Sequence, residues 1–193
     1  FLSVTGVTVG VMALVVVIAV MSGAETEFRK RILGLEPHIL VMNYKGSYDN
    51  YGPLVASLKE NPHVKGISPI LFGQAMIRTN HSFSGVMVRG ITPESGSPLI
   101  KGFTPNQLEE ALGPHHATDT KTGALPGIIL GKDLANSIGV IKGDALILMS
   151  SKSFISPIGQ IPSMKRFVVK GTFDSGMSEY DGMLAYVHLD QAQ

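Results

Sequence analysis

The stretch from Gly127 to Asp133 is the part of this chain that most resembles a phosphate-binding loop. Three residues separate Gly127 from Gly131-Lys132, and Asp133 follows the lysine. A phosphate loop needs one more residue between its glycines, and a serine or threonine after the lysine to hold magnesium. Because both requirements fail, we predict a strand-to-helix turn without nucleotide chemistry.

Two other groups contain residue types used in metal binding or acid–base catalysis. His115 and His116 lie near Asp119, but adjacent histidines point apart in most backbones and no second ligand pair follows. Glu179, Asp181 and Asp174 lie close in sequence without a nucleophile or a histidine beside them. We therefore predict a surface loop and a turn, and expect no catalytic, cofactor-binding or metal site in the chain.

The most distinctive candidate for function is a loop predicted to protrude between two strands. The sequence SKSFISPIGQIPSMK has no regular pattern, and Pro157 and Pro162 bracket its middle. The prolines would hold an apolar tip in an extended shape above Lys165 and Arg166. Such a preorganised hook suits docking onto another protein, although a loop packed back on its own domain fits the pattern equally well. The apolar tip residues are Phe154, Ile155, Ile158 and Ile161.

Composition sets limits on the function of the chain. Its 193 residues carry a net charge of +1, so no electrostatic footprint for nucleic acid is visible. The absence of cysteine excludes disulfides and thiolate metal sites. Because the chain begins with Phe1 and not with methionine, we expect it to be a segment of a longer protein.

The stretch predicted to anchor the rest of the chain is residues 1–24, which contain no charged residue. As a helix they would be about 36 Å long, enough to cross the roughly 30 Å hydrocarbon core of a bilayer. A cleaved signal peptide is the main alternative, since Ser22-Gly23-Ala24 resembles a cleavage site. The apolar run is longer than a signal core, however, and helical spacing continues through residues 25–36. We predict one continuous helix that leaves the membrane and stops near Gly34.

One face of this helix carries small residues, including a Gly-x-x-x-Gly pattern. Such faces let another transmembrane helix approach closely, although glycine is also common in membrane helices by chance. We predict that this face packs in a helix bundle. Its residues are Ser3, Gly6, Gly10 and Ala13.

The residues after this helix are predicted to form a small α+β domain rich in short strands and turns. We predict helices at 48–62, from Thr104 to Gly113, at 132–138 and from Leu189 onward. Predicted strands cover 38–44, 64–70, 74–79, 83–91, 128–130, 146–149, 166–173 and 183–187.

Several stretches together resemble a known family, over nearly the whole chain. The chain is similar to the permease subunit of the bacterial lipoprotein-releasing (Lol) transporter, of the LolC/LolE type, in the MacB-like ABC transporter superfamily. The matching stretches are SVTGVTVGVMALVVVIAVMSGAETEFRKRILGLEPHI, PGIILGKDLANSIGVIKGDALILMS, SPIGQIPSMKRFVVKGTFDSGMSEYD and LAYVHLDQAQ.

The resemblance implies a transmembrane helix followed by a periplasmic domain with a porter-like α/β part and an inserted, mostly β, sabre part. It divides the chain into the transmembrane helix 1–24, its periplasmic extension 25–36, a first porter half 37–91, a sabre part 92–165 with a hook loop at 152–165, and return strands 166–193. It also implies an inner-membrane, multi-pass protein in which the second porter half and three more transmembrane helices follow.

The resemblance assigns roles to particular residues. The hook would recruit a LolA-like periplasmic lipoprotein carrier, although Met164 departs from the polar residue usual after the second proline. Val16, Val20 and Met21 would meet the acyl chains of a lipoprotein substrate. The hook and its base comprise Ser156, Pro157, Ile158, Gly159, Gln160, Ile161, Pro162, Met164, Lys165 and Arg166.

The implied partners are a second permease subunit (the same chain or a LolE-like one) and a LolD-like ATPase. ATP and magnesium would bind the ATPase, so this chain would hold no cofactor and hydrolyse nothing. Three alternatives share parts of this pattern: a MacB-like exporter of toxins or drugs, an FtsX-like transmembrane signalling protein, and a periplasmic binding protein with a signal peptide. The hook favours the lipoprotein-releasing permease.

Overall fold

A computed structural model of the chain describes residues 1–33, 37–43, 51–80, 82–96, 100, 102–113, 125–156 and 159–192. It separates into two compact units, Phe1–Leu40 and Val41–Gln193. The predicted surface loop around His115 and His116 lies outside the described residues.

The first unit contains one long helix, α1, at Leu2–Leu33. The helix runs without interruption across the predicted boundary between residues 24 and 25, which confirms a continuous helix. Its segment Leu2–Arg29 is long and apolar enough to cross a membrane, a test that signal sequences near an N-terminus also pass. Glu25 and Arg29 form an exposed ion pair one helical turn apart, with 3.7 Å between their charged atoms.

The second unit is built around a closed six-stranded barrel with the strand order β1-β2-β6-β3-β5-β4. The strands are β1 Leu71–Arg78, β2 Phe83–Ile91, β3 Gly127–Gly131, β4 Ala145–Ser156, β5 Gly159–Phe173 and β6 Leu184–His188. The helices are α2 Gly52–Lys59, α3 Pro93–Gly96, α4 Pro105–Leu112, α5 Lys132–Ile138, α6 Ser178–Asp181 and α7 Leu189–Ala192. A helix followed by mixed helices and strands is the α+β class that the sequence predicts.

The barrel joins strands from all three predicted parts of the domain. β2 pairs in parallel with β6, and β1 pairs antiparallel with β4. The predicted boundaries at 91/92 and 165/166 therefore cut through the barrel, because hydrogen-bonded neighbours lie on both sides of each. The porter and sabre divisions stay predictions.

Alternate residues of the strands face opposite sides of the barrel wall, and each side has its own core. On β3, Ile128 and Leu130 belong to the inner cluster, whereas Ile129 between them belongs to the outer one. The inner cluster also contains Phe167 and side chains of α5. The outer cluster is formed with α4 and includes Phe173 and Tyr186, whose rings meet edge to face with centroids 5.1 Å apart. α4 thus covers the β3–β6 side of the barrel.

Local signals correctly predicted two helix ends. Thr104 and Gln107 form a capping box at the start of α4: the Gln107 amide donates to Thr104 Oγ1 over 3.4 Å, and the Thr104 amide donates to Gln107 Oε1 over 2.9 Å. α5 ends at Gly139, whose φ of 69° lies in the left-handed region that favours glycine.

Three predicted elements were wrong in whole or in part. Residues 64–70 are not a strand: Pro69 has no amide hydrogen to donate to a ladder, and β1 begins only at Leu71. Of the described residues in the predicted strand 38–44, only Asn43 forms a bridge. The helix predicted at 48–62 is described as the shorter α2.

The glycine-lysine stretch forms the predicted strand-to-helix turn, and the carboxylates lie between β5 and β6. β3 ends at Gly131 and α5 begins at Lys132, as the predicted strand-to-helix turn requires. Lys132 Nζ donates to Asp174 Oδ2 over 3.0 Å, and the Gly176 amide donates to Asp174 Oδ1 over 3.0 Å. Asp181 is buried and accepts the Ser175 amide over 2.9 Å. These carboxylates hold the turn after β5 against the start of α5.

Gly131 is predicted to be intolerant of any side chain. A Cβ there would collide with the backbone carbonyl of Asp181. We expect Gly131→Ala to destabilise the domain by about 1–3 kcal/mol, as overpacking does, in urea unfolding of residues 41–193. Gly85→Ala is the matched control, because a Cβ at Gly85 meets no atom within 4 Å. Equal stability of the two variants would contradict the close approach of β3 and α6.

The Lys132–Asp174 pair is predicted to shift the titration of the carboxylate. The hydrogen bond from Lys132, followed by that from the Gly176 amide, holds the pKa of Asp174 below its ordinary value. The pair therefore stabilises the fold above the unfolded-state pKa of the carboxyl group, and this contribution disappears as the pH falls through the folded-state pKa. In NMR titrations of the side-chain carboxyl carbon, Lys132→Met should raise the pKa of Asp174. Lys59→Met on α2 should leave it unchanged, and a shift of equal size there would refute the assignment to Lys132.

Candidate functional site

β4 and β5 form a hairpin that extends beyond the barrel. β1 pairs with β4 only from Ile147 to Ser150. Past that point β4 continues to Ser156, and its registered partners there lie on β5, down to the pair Ser156–Gly159. Six residues at about 3.3 Å each make a two-stranded ribbon roughly 20 Å long.

The prediction of an irregular loop at 152–165 was therefore wrong. The described residues of this stretch belong to the strands β4 and β5. Pro162 lies opposite Ser153 within the ladder. A proline is tolerated there because each strand of a two-stranded ribbon has an open edge that needs no amide donor. The register shifts between Met149 and Ser153, which breaks the simple alternation from which a strand could have been predicted.

The backbone of the ribbon brings most of the predicted hook residues to its far end. Gly159, Gln160, Ile161 and Pro162 lie opposite Ser156, Ile155, Phe154 and Ser153 respectively. Pro157 and Ile158, which lie between β4 and β5 in the sequence, are outside the described residues. The hook is thus held at the end of a hairpin whose base belongs to the barrel.

The predicted base of the hook lies where the ribbon joins the barrel. Met164, Lys165 and Arg166 are exposed and lie opposite Met149, Leu148 and Ile147. Strand alternation puts Met164 and Arg166 on the outer side, because Phe167 faces the inner core. Partial burial lowers the pKa of Lys165. The Arg166 guanidinium and the Met164 thioether, which share the outer side, can bind a surface that offers carboxylates beside apolar groups.

The predicted sites on α1 belong to the other compact unit. Their side chains are exposed, and a Cβ placed on Gly6 or Gly10 would meet no atom within 4 Å. The small-residue packing face and the acyl-contact residues stay predictions. They comprise Ser3, Gly6, Gly10, Ala13, Val16, Val20 and Met21.

The sequence reasoning missed a row of outward-facing side chains on β1 and β2 beside the hairpin. Met76, Phe83 and Met87 are exposed there. Alternation along each strand could have indicated which residues face outward, but the sequence does not show which strands lie side by side.

Across the described part of the chain, no group of three or more histidine, aspartate or glutamate side chains could hold a metal ion.

Comparison with known proteins connects this architecture to a family. The sequence matches the MacB-like periplasmic core domain over residues 1–193. It is 32% identical over 191 residues to the lipoprotein-releasing system transmembrane protein LolC of Xylella fastidiosa (strain Temecula1), with 99% of this chain and 44% of the relative covered. It is 26% identical to LolC of Neisseria meningitidis serogroup B, over 99% of this chain and 44% of the relative.

A second type of relative carries the name LolE. The lipoprotein-releasing system transmembrane protein LolE of Haemophilus influenzae is 27% identical over 156 residues, which cover 78% of this chain and 35% of the relative. The chain spans less than half the length of the curated relatives it matches. Since the family match extends from the first residue to the last, the chain belongs to the family of MacB-like periplasmic core domains.

Proposed function

We propose that this chain is part of the permease subunit of an ATP-driven transporter that extracts lipoproteins from the inner membrane and passes them to a periplasmic carrier. The observation that carries the proposal is the β4–β5 hairpin, which holds the hook sequence at the end of a ribbon roughly 20 Å long. The names of the relatives, lipoprotein-releasing system transmembrane proteins, supply the class of cargo.

In this proposal α1 is the first of several transmembrane helices, with the domain from residue 41 in the periplasm. The helix is long and apolar enough to span the inner membrane. The face with Gly6 and Gly10 packs on neighbouring membrane helices, where small residues allow close contact. Val16, Val20 and Met21 lie along the second half of the span and meet the acyl chains of the lipoprotein. All three are more than half exposed on α1.

The hook recruits a LolA-like carrier. Proline at both ends of the tip limits backbone freedom, so less conformational entropy is lost on binding. Lys165 and Arg166 at the base of the ribbon attract carboxylates of the carrier. The carrier is thus held about one ribbon length from the barrel, ready to accept the released lipoprotein.

ATP is hydrolysed on a separate, LolD-like ATPase subunit. The glycine-lysine stretch in this chain supports that assignment, because Gly131 starts a structural turn and Lys132 pairs with Asp174. A second permease subunit, either another copy or a LolE-like chain, completes the membrane part. The energy for expelling the cargo then reaches α1 through contacts among membrane helices.

Changing the hook should weaken carrier binding. We expect the double variant Pro157→Gly/Pro162→Gly to lower carrier affinity several-fold by increasing the freedom of the tip, and Lys165→Glu to lower it about tenfold by charge reversal. The measurement is carrier binding to the full-length protein in nanodiscs, followed by ATP-dependent release of an acylated lipoprotein from proteoliposomes.

Lys59→Glu on α2 is the matched charge reversal away from the hairpin and should leave binding unchanged. A wild-type protein that binds no carrier, or that supports no lipoprotein release in the presence of ATP and its partners, would refute the proposed function. Release of a toxin or drug in place of a lipoprotein would favour a MacB-like exporter.

Enlarging the small residues of α1 should disrupt assembly. We expect Gly6→Leu/Gly10→Leu to reduce co-purification of the second permease subunit, because the larger side chains separate the helix backbones. Both positions are open within this chain, so the change should not disturb α1 itself. Val7→Leu/Val11→Leu is the matched control on the same helix. Equal recovery of the partner from both variants would place the packing face elsewhere.

A further inference from the structure

Three methionines form one row across the barrel wall where the hairpin leaves it. The register places Met164 on β5 opposite Met149 on β4, and Met149 opposite Met76 on β1. Directly opposed residues lie on the same side of a sheet, so the three thioethers are neighbours. Cysteine and methionine are the side chains that two-electron oxidants modify most readily, and this chain contains no cysteine. The row therefore concentrates oxidisable sulfur at one place on the domain.

Strand alternation puts this row on the outer side of the wall. Ile77 on β1 and Phe167 on β5 each lie an odd number of residues from the methionine of their strand, and both are buried in the inner cluster. Met164 is 53% exposed and Met76 is 46% exposed, whereas Met149 between them is partly buried. Because oxidation follows exposure, Met164 is the member of the row that a dissolved oxidant reaches most easily.

Two arginines lie in the next row across the same side of the wall. Arg166 follows Met164 by two residues on β5, and the register continues from Arg166 through Ile147 on β4 to Arg78 on β1. Both arginine side chains are exposed. Their positive charge raises the local concentration of an anionic oxidant such as hypochlorite. Exposure and charge thus both favour attack at Met164.

We infer that Met164 is a site of reversible oxidation, and that its conversion to methionine sulfoxide weakens the hold of the hook base on the carrier. The modification itself depends only on the exposed thioether and its cationic neighbours. Its consequence rests on the proposed function, in which Met164 belongs to the base of the carrier-binding hook.

The oxidation step transfers one oxygen atom from hypochlorite to sulfur. The thioether sulfur of Met164 gives up two electrons and forms a bond to the oxygen. The oxygen–chlorine bond breaks, and the chlorine takes the two electrons and leaves as chloride, so no proton is consumed overall. A methionine sulfoxide reductase reverses the step. Two thiols then supply the electrons and protons, the oxygen leaves as water, and the thiols become a disulfide.

The sulfoxide changes what the base of the hook offers to a partner. A flexible apolar group becomes a polar one whose oxygen accepts hydrogen bonds. An apolar group of the carrier packed on Met164 would then bury that oxygen, which costs free energy unless the oxygen keeps a donor. Arg166 shares the same side of the wall and can donate to the oxygen. Its guanidinium is then less available to the carboxylates of the carrier.

Other methionines of the domain provide references within the same molecule. Met183, which precedes β6, is 48% exposed and lies outside the hairpin. Met149 and Met177 are partly buried. The order of exposure predicts that Met164 and Met183 oxidise at similar rates, ahead of the two partly buried methionines.

The first measurement follows the modification itself. Full-length protein in nanodiscs is treated with dilute hypochlorite for increasing times and quenched, and the sulfoxide at each methionine is quantified by peptide mass spectrometry. We expect Met164 to oxidise several-fold faster than Met149 and Met177. A rate at Met164 no higher than theirs would overturn the inference.

The second measurement titrates untreated carrier against protein that has been oxidised and freed of oxidant. We expect carrier affinity to fall about fivefold to tenfold and to recover after treatment with methionine sulfoxide reductases. Met164→Leu removes the sulfur but keeps an apolar side chain of similar size, so oxidation should change the affinity of this variant less than about twofold. Met183→Leu is the matched control at a similarly exposed position, and its affinity should fall on oxidation as far as that of the wild type.

The outcomes separate this inference from the proposed function. If Met164 is oxidised and carrier affinity stays the same, the inference is overturned and the proposed function stands. The same conclusion follows if Met164→Leu loses as much affinity on oxidation as the wild type does. If the untreated wild-type protein binds no carrier, both are overturned.

Discussion

The barrel closes through pairings between strands that are far apart in sequence, and the other features of the domain depend on that closure. β4 pairs with β1, and β2 pairs with β6, so the six strands form a closed ring. The interior is filled by alternate side chains, among them the fully buried Ile128 and Phe167, with α5 contributing to the same cluster. Because every strand of the barrel lines this interior, a shift of register in one strand would turn its core residues outward.

This closure also explains how a two-stranded ribbon can project into solvent and still keep its shape. An isolated hairpin is marginally stable in water. Here the lower half of β4 is fixed by β1, and the lower half of β5 by β3, before the two strands leave the wall together. The wall of the barrel therefore fixes the base of the hairpin.

The chain contains two elements suited to two different surroundings. α1 is apolar over a length that matches a bilayer, whereas the domain from residue 41 buries apolar side chains in two core clusters. In the proposed function the first element meets the acyl chains of the cargo and the second holds the protein that receives them. In that proposal the contribution of this chain is to bring cargo and carrier within reach of each other.

The sequence by itself determined what depends on neighbouring residues. The uncharged run of 24 residues predicted α1, Thr104-Pro105 with Gln107 predicted the start of α4, and Gly139 predicted the end of α5. Pro157 and Pro162 also predicted where the hook lies in the sequence. Each of these signals lies within a few residues of its effect, because caps and helical periodicity are local interactions.

Only the tertiary structure decided which strands are neighbours. The hook was predicted to be an irregular loop, because the register shift after Met149 and the presence of Pro162 hide its alternation. The domain boundaries were placed across a barrel whose closure no local pattern reveals. The outer row of Met76, Met149 and Met164 likewise requires β1, β4 and β5 to lie side by side. Contacts between such distant residues are selected by packing of the whole interior, and a single sequence does not display that selection.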